Sequence, residues 1–401
     1  MTMGKYFTKI GVVALVLGAA PFLAFAATAT TATKTAPKLP FYYGAWVPYW
    51  TGQAGEQQIA VNLDSLNEVS PFSYEIVGGT IKDDLGINKG LWTGWISAVQ
   101  SGGVKVIPTI AWFDTNGIYN VLSVANKRQA EETSIAQLAK ANNFNGIDID
   151  FESMSPATRP YYSLFIEGLS QRLHASGKLL TCTVVPRDYP SSVYVVVPAT
   201  LSYAENYSLL NQYCDEVRLM AYDQGTTDLK LDASKGGNGM LYSPTADPDW
   251  STKILQYALQ YINPRKIMLG IPTYGYEYEV SWSNNVTTYQ EVRAWDYFSA
   301  SDRADSLDIT PVRDNAGELS FTFTSSTYIQ EPQILTNYVS STEPAVLAAP
   351  NPNHLTTFFV SYPDATSELQ KVTLAKQYGL RGVMFFKADG DIDPSIWSSL
   401  N

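Results

Sequence analysis

The chain has 401 residues, 45% of them hydrophobic and 16% charged, with a formal net charge of −11 at pH 7 and a pI near 4.7. That composition excludes a disordered chain, allows one large domain or two ordinary ones, and argues against nucleic acid or an anionic membrane surface as partners, since either would be repelled. With only two histidines, His174 and His354, and two cysteines outside any Cys-x-x-Cys spacing, a Ser-His-Asp triad or a His-built zinc site has few candidates.

Residues 1–26 have a secretory layout: Lys5 and Lys9, an apolar run from Ile10 to Phe25, and Ala24-Phe25-Ala26 as a small-x-small cleavage site. Cleavage after Ala26 is expected, an uncleaved anchor being the alternative; Pro21 interrupts the run. Residues 27–40, rich in Ala and Thr and closed by Pro37 and Pro40, read as a linker.

From Phe41 the chain alternates short strand-like runs with helix-period segments, the signature of βα units around a parallel sheet. Strands are expected at 41–46, 69–77, 104–112, 145–152, 179–185, 217–222, 267–274 and 382–386. Helices are expected at 91–100, 127–140, 157–175, 250–261 and 367–378, where apolar residues recur at i, i+3, i+4 and i+7 and glycines supply stops. Eight strands with intervening helices predict a (β/α)8 TIM barrel over 41–275 and 363–401, with functional groups at the strands' C-terminal ends. Between strand 7 and helix 7, over 276–362, Tyr, Thr and Val with Asn/Asp turns predict an inserted small α+β subdomain that raises one wall of the cleft. Aligning strands five and six by their ends sets Cys182 and Cys214 roughly 16 Å apart along the sheet, so no bridge between them is expected.

The fourth strand carries the chemistry. In Asn145-Gly-Ile-Asp-Ile-Asp-Phe-Glu152, alternation puts Asp148, Asp150 and Glu152 on one face and Ile147, Ile149 and Phe151 on the other. Carboxylates about 6.5–7 Å apart along a strand repel one another, which raises a pKa toward what a general acid needs. The plain alternatives are a solvated strand face or a calcium site.

These residues resemble the family-18 glycoside hydrolases, whose strand-four pattern is Asp-x-x-Asp-x-Asp-x-Glu. Met220-Ala-Tyr-Asp223, Gly270-Ile-Pro-Thr-Tyr-Gly-Tyr276 and Tyr378-Gly-Leu-Arg-Gly-Val-Met-Phe-Phe386 match three further stretches in order, so the resemblance spans about 41–398. It is strongest to the bacterial cell-wall and spore-cortex branch. It implies substrate-assisted, retaining cleavage of β-1,4 bonds next to N-acetylglucosamine. Glu152 would be acid and base, Asp150 would orient the acetamido group, Asp148 would share its proton, Tyr222 would hold the acetamido oxygen, and Asp223 and Met220 would touch the sugar. Trp46, Tyr74, Trp112, Tyr274 and Phe386, near strand ends, are candidates for stacking on sugar rings, each equally able to be core.

Two departures stand out. Asn145 replaces the motif's first aspartate and is expected to remove the lowest carboxylate, and Phe386 replaces the family's usual tryptophan. No metal and no cofactor is expected, and the protein is expected to act outside the cell or in its envelope as a monomer. The partner is an N-acetylglucosamine polymer or oligosaccharide, with no nucleic acid and no membrane after signal cleavage. Chitin, peptidoglycan and glycoprotein glycans remain open, as do endo and exo action and a non-hydrolytic, lectin-like relative of the same fold.

Overall fold

The computed structural model describes residues 40–51, 53–84, 86–87, 91–237, 240–283, 286–324 and 356–400. The leader, most of the linker, and His354 lie outside the described residues.

Eight parallel strand positions close into a barrel. In chain order the first seven are β1 (Tyr42–Pro48), β2 (Glu68–Val77), β3 (Thr109–Trp112), β4 (Gly146–Phe151), β5 (Leu179–Val184), β6 (Glu216–Leu219) and β7 (Ile267–Pro272). A second sheet then supplies β8 (Tyr274–Ser283), β9 (Val286–Asp296), β10 (Val312–Arg313), β11 (Leu319–Thr324) and β12 (Thr357–Tyr362) before the last barrel strand, β13 (Gly382–Phe386). Strand β1 pairs with both β2 and β13, which leaves the barrel no edge.

Among the boundaries that differ from expectation, three have a clear local reason. The third strand is split into Lys105–Val106 and β3, with Ile107 and Pro108 between them, because proline has no N–H to give the ladder. Strand β6 ends at Leu219 rather than Tyr222; the chain then turns, with Ala221 N–H donating to Leu219 O (2.8 Å) and Tyr222 N–H to Met220 O (2.9 Å). The helix Ala365–Gln377 starts two residues early because Asp364 and Ser367 form a reciprocal cap.

The outer face of β4 packs as its alternation predicts. Ile147, Ile149 and Phe151 are buried in the main core, with Phe151 stacked at 5.3 Å on Phe165 of the helix Arg159–His174. The second sheet is antiparallel in the order β9-β8-β12-β11-β10 and encloses its own small core of Phe321, Phe323, Phe358, Val360 and Tyr362 with the helix Tyr297–Ser306. It is tied to the barrel by Lys387 Nζ to Asp296 (2.7 Å) and by buried Glu318, which accepts the backbone N–H groups of Thr245 (3.0 Å) and Ala246 (2.8 Å).

The cysteines correct the sequence reading: Cys182 and Cys214 form a disulfide, with Cα atoms 6.2 Å apart. The register pairs Cys182 with Val217, three residues after Cys214, so aligning the strands by their ends overstated the offset by counting Met220–Tyr222 as strand. The bridge closes a separation of 32 residues. Replacing both cysteines with alanine is expected to lower unfolding free energy by about 2–4 kcal/mol, read from the denaturant midpoint.

Candidate active site

TIM-barrel interiors are ordinarily packed with branched apolar side chains. This lumen is divided instead. Trp46, Met268 and Met384 form an apolar side, while Glu68, Ser70, Thr109, Asp148, Thr181, Thr183, Glu216 and Arg218, all buried, form a polar one.

Asp148 is wholly buried and engaged on both carboxylate oxygens. Oδ1 accepts from Thr181 Oγ1 (2.8 Å) and Thr183 Oγ1 (2.9 Å). Oδ2 accepts from Thr109 Oγ1 (2.9 Å), Thr183 Oγ1 (3.0 Å) and Trp46 Nε1 (3.3 Å), with Arg218 Nη1 3.2 Å away. Two residues higher, Asp150 is 4% exposed and its Oδ1 has no hydrogen-bond partner. Burial first, then the charges of Glu152 and Asp148, hold its carboxyl well above the usual range. Glu152, half-buried just past the end of β4, is pushed up to about 7 by burial and then by the negative charges of Asp223 and Glu205.

Tyr222 and Asp223 occupy the turn after β6. Gly270 clears space for the Tyr222 ring: a Cβ there would stand 2.9 Å from Tyr222 Cε1 and 2.6 Å from Leu219 O. The ring lies parallel to Phe386, 12° between planes and 5.2 Å between centroids. Asp223 has a left-handed φ of 58°, which turns its carboxylate toward two phenols; Tyr274 and Tyr276 (2.6 Å) both donate to its Oδ1. Phe386 is half-buried and also meets Trp46 and Tyr274 edge-on, at 5.8 and 5.9 Å. Met220 is half-buried directly after β6.

Two stacking candidates are corrected. Tyr74 and Trp112 are 2% and 1% exposed and belong to the main core outside the lumen, Tyr74 against Phe144 and Trp112 against Phe151. Trp112 pairs in register with Phe151, on the outward face. A register shift between Phe72 and Tyr74 turns Tyr74 outward although Phe72 points in. Trp46 is in the lumen but 2% exposed, so it supports Asp148 and Phe386 from beneath. Tyr274 acts through its hydroxyl on Asp223.

Asn145 also requires correction. Its Oδ1 accepts from Val106 N–H (2.9 Å) and Gln100 Nε2 (3.1 Å), and it stands an odd step, three positions, before Asp148, so it ties the strand's start to its neighbour and takes no carboxylate from the ladder. Among the described residues, no group of His, Cys, Asp and Glu has the arrangement to hold a metal ion.

The model for the family described as Glycosyl hydrolases family 18 matches residues 46–391. The chain belongs to glycosyl hydrolase family 18. Among curated relatives, this family-18 chain is 28% identical over 185 residues to the uncharacterized glycosylase YvbX of Bacillus subtilis (strain 168), covering 46% of this chain and 47% of that protein. It is 24% identical over 322 residues to chitinase A1 of Niallia circulans, covering 74% and 42%. The matched stretches therefore span about half or less of these curated relatives. Among solved structures, the spore cortex-lytic enzyme SleL of Bacillus megaterium QM B1551 superposes with a TM-score of 0.65 at 19% identity, covering 90% of this chain and 73% of that one.

Several residues that shape this family-18 site escaped the sequence reading. Arg218 was visible as a lone cation in the apolar run Val217-Arg-Leu219, while Thr109, Thr181 and Thr183 gave no signal apart from strand parity. Glu205, held by Arg187 Nη2 at 2.8 Å, comes from a loop; the Arg187 guanidinium is itself packed 4.1 Å from the ring centroids of Tyr203 and Tyr207. Tyr49 and Trp50, directly after β1, meet edge-on at 5.0 Å.

Proposed function

We propose that this protein is an exported hydrolase of β-1,4 bonds next to N-acetylglucosamine, working by substrate-assisted catalysis with retention. The observation that carries the proposal is the unpartnered Oδ1 of buried Asp150, set between a saturated Asp148 and a Glu152 raised to about 7. A substrate acetamido N–H is the partner that this oxygen lacks. In the first step the acetamido oxygen attacks C1 as the C1–O glycosidic bond breaks, and Glu152 gives its proton to the leaving oxygen. In the second, Glu152 takes a proton from water, whose oxygen attacks C1 of the oxazolinium ion and restores the acetamide. Asp150 stabilises the positive charge that develops on the ring nitrogen. Tyr222 directs its hydroxyl to the acetamido oxygen, Asp223 and Met220 contact the sugar, Phe386 supplies its floor, and the second sheet walls the cleft through Tyr274 and Tyr276.

Export is supported by the Cys182–Cys214 disulfide, which suits an oxidising compartment. Among the described residues no helix is long and apolar enough to cross a membrane. The relatives' descriptions, chitinase and spore cortex-lytic enzyme, point to two substrates, chitin and peptidoglycan. Chitooligosaccharides and purified peptidoglycan offered in parallel, with products identified by mass spectrometry, separate them. Binding of both without cleavage by wild type would favour a lectin-like role.

The same assay has a pH signature. A general acid must be protonated, so kcat/KM falls as pH rises through the Glu152 pKa of about 7. Glu205→Gln removes one of the negative charges that raise that pKa, so the alkaline limb is expected to move to lower pH, by less than about one unit because Arg187 already offsets part of the charge. An unmoved limb would remove Glu205 from the tuning of Glu152.

A further inference from the structure

Arg218 is wholly buried at the barrel's axis, and nothing in the reaction outlined above uses it. Its Nη1 donates to Ser70 Oγ (2.6 Å) and stands 3.2 Å from Asp148 Oδ2; its Nη2 donates to Glu68 Oε1 (2.9 Å) and stands 3.7 Å from Glu216 Oε2. Arg381 Nε lies 2.7 Å from Glu216 Oε1, an ion pair off the hydrogen-bond line. Around this centre β1 brings Trp46, β3 Thr109, β5 Thr181 and Thr183, β7 Met268 and β13 Met384, none of which ionises in the working range. The titratable groups facing Arg218 are thus Glu68, Asp148 and Glu216, with Asp150 above and Arg381 below.

Such a cluster is a costly way to fill a barrel, because burying charges forfeits hydration and well-packed apolar residues are as stable or more so. Stability alone does not account for it, and its geometry indicates a use. Burial, then the charge of Glu68, pushes Glu216 up to about 8, and Glu216 stands farther from Arg218 (3.7 Å) than Glu68 (2.9 Å) or Asp148 (3.2 Å), so Arg218 is shared chiefly between those two. Both Asp148 oxygens are engaged from the sides and below, so its side chain has one orientation, while Asp150 above keeps an oxygen without a partner.

We infer that Arg218 is a positioning residue for the reaction: clamped by Glu68 and Ser70, its guanidinium fixes the orientation of the Asp148 carboxylate at the base of the ladder, which leaves the free Oδ1 of Asp150 to meet the substrate. This rests on the substrate-assisted reading of the same site. Two consequences follow for a variant that loses the cation. The Asp148 carboxylate then loses its fixed orientation beneath Asp150, so the chemical step slows while sugar contacts at the mouth persist. Without the nearby positive charge, the ladder also takes up its inactivating extra proton at higher pH.

The test measures kcat, KM and pH profiles on a fluorogenic chitooligosaccharide for wild type, Glu152→Gln, Arg218→Met and Arg218→Lys. Arg218→Met is expected to lower kcat about 10–100-fold with KM changed less than about threefold, and to move the acid limb of kcat/KM up by about one pH unit. Arg218→Lys keeps a cation and is expected to restore the limb, though not all of kcat, since it lacks the fork. If Arg218→Met does not fold, Ser70→Ala, which loosens the clamp without changing any charge, is expected to shift the limb in the same direction by less. A uniform loss of activity with an unmoved limb, in Arg218→Met or Ser70→Ala, would overturn the inference and leave a structural role. Wild type no more active than Glu152→Gln, on the chitooligosaccharide and on purified peptidoglycan alike, would instead overturn the hydrolase reading. In that event, an infrared pH titration of the protonated-carboxyl band needs no substrate: the same titration in wild type and Arg218→Met would overturn the inference, and a shift to higher pH would support it.

Discussion

Glu152→Gln is expected to lower kcat by about 10²–10⁴-fold with KM and the unfolding midpoint nearly unchanged. Glutamine keeps the volume and the hydrogen-bonding reach of the side chain but can neither donate nor accept the catalytic proton. The backbone of the site does not depend on the carboxyl: Glu152 is held by its own N–H, which donates to Trp112 O at 2.9 Å. The loss should therefore appear in the chemical step. Cleavage by the variant at the wild-type rate would remove Glu152 from the mechanism.

Asp150→Asn is expected to cost about 10²–10³-fold in kcat. Its carboxyl is nearly sealed from water, so whatever charge it carries in the transition state acts at low dielectric, where it is worth more than at the surface. Asparagine is nearly isosteric but cannot become an anion beside an oxazolinium ion. The unpartnered Oδ1 also means that little of the resting structure depends on it, so thermal stability should hold or rise as a strained carboxyl is replaced. A variant that loses stability and activity together would mark Asp150 as a packing residue.

The parts of the fold that were legible are those written in periodicity. The alternation of Ile147, Ile149 and Phe151 with three carboxylates gave a strand, its buried face and its lumen face from sequence alone, because side chains on a strand have only two directions. The βα rhythm gave the closed barrel for the same reason. What was not legible depended on register. The Cys182–Cys214 bridge needs the pairing of Cys182 with Val217, which no single strand reveals. Tyr74 was misassigned because of a one-residue irregularity after Phe72, and such a bulge has no sequence signature here. Trp112 was misassigned more simply, since counting two-residue steps from inward Thr109 passes through Ala111 and leaves Trp112 facing out.

Asn145 and Arg218 make a complementary pair. Asn145 drew notice as a departure from the family pattern, yet its side chain serves the backbone at the strand's start. Arg218 drew none, although a cation between Val217 and Leu219 is buried at a cost that must be compensated, and compensation by Glu68, Ser70 and Asp148 spans the barrel. A buried charge in an apolar strand was therefore the stronger signal of the two.

If the substrate's own acetamido group, with no second enzyme carboxylate, forms the intermediate, cleavage retains configuration. Proton NMR of the anomeric region during the first minutes of chitooligosaccharide cleavage, before mutarotation, tests this directly. The β anomer is expected at the newly formed reducing end; initial release of the α anomer would contradict a substrate-assisted mechanism.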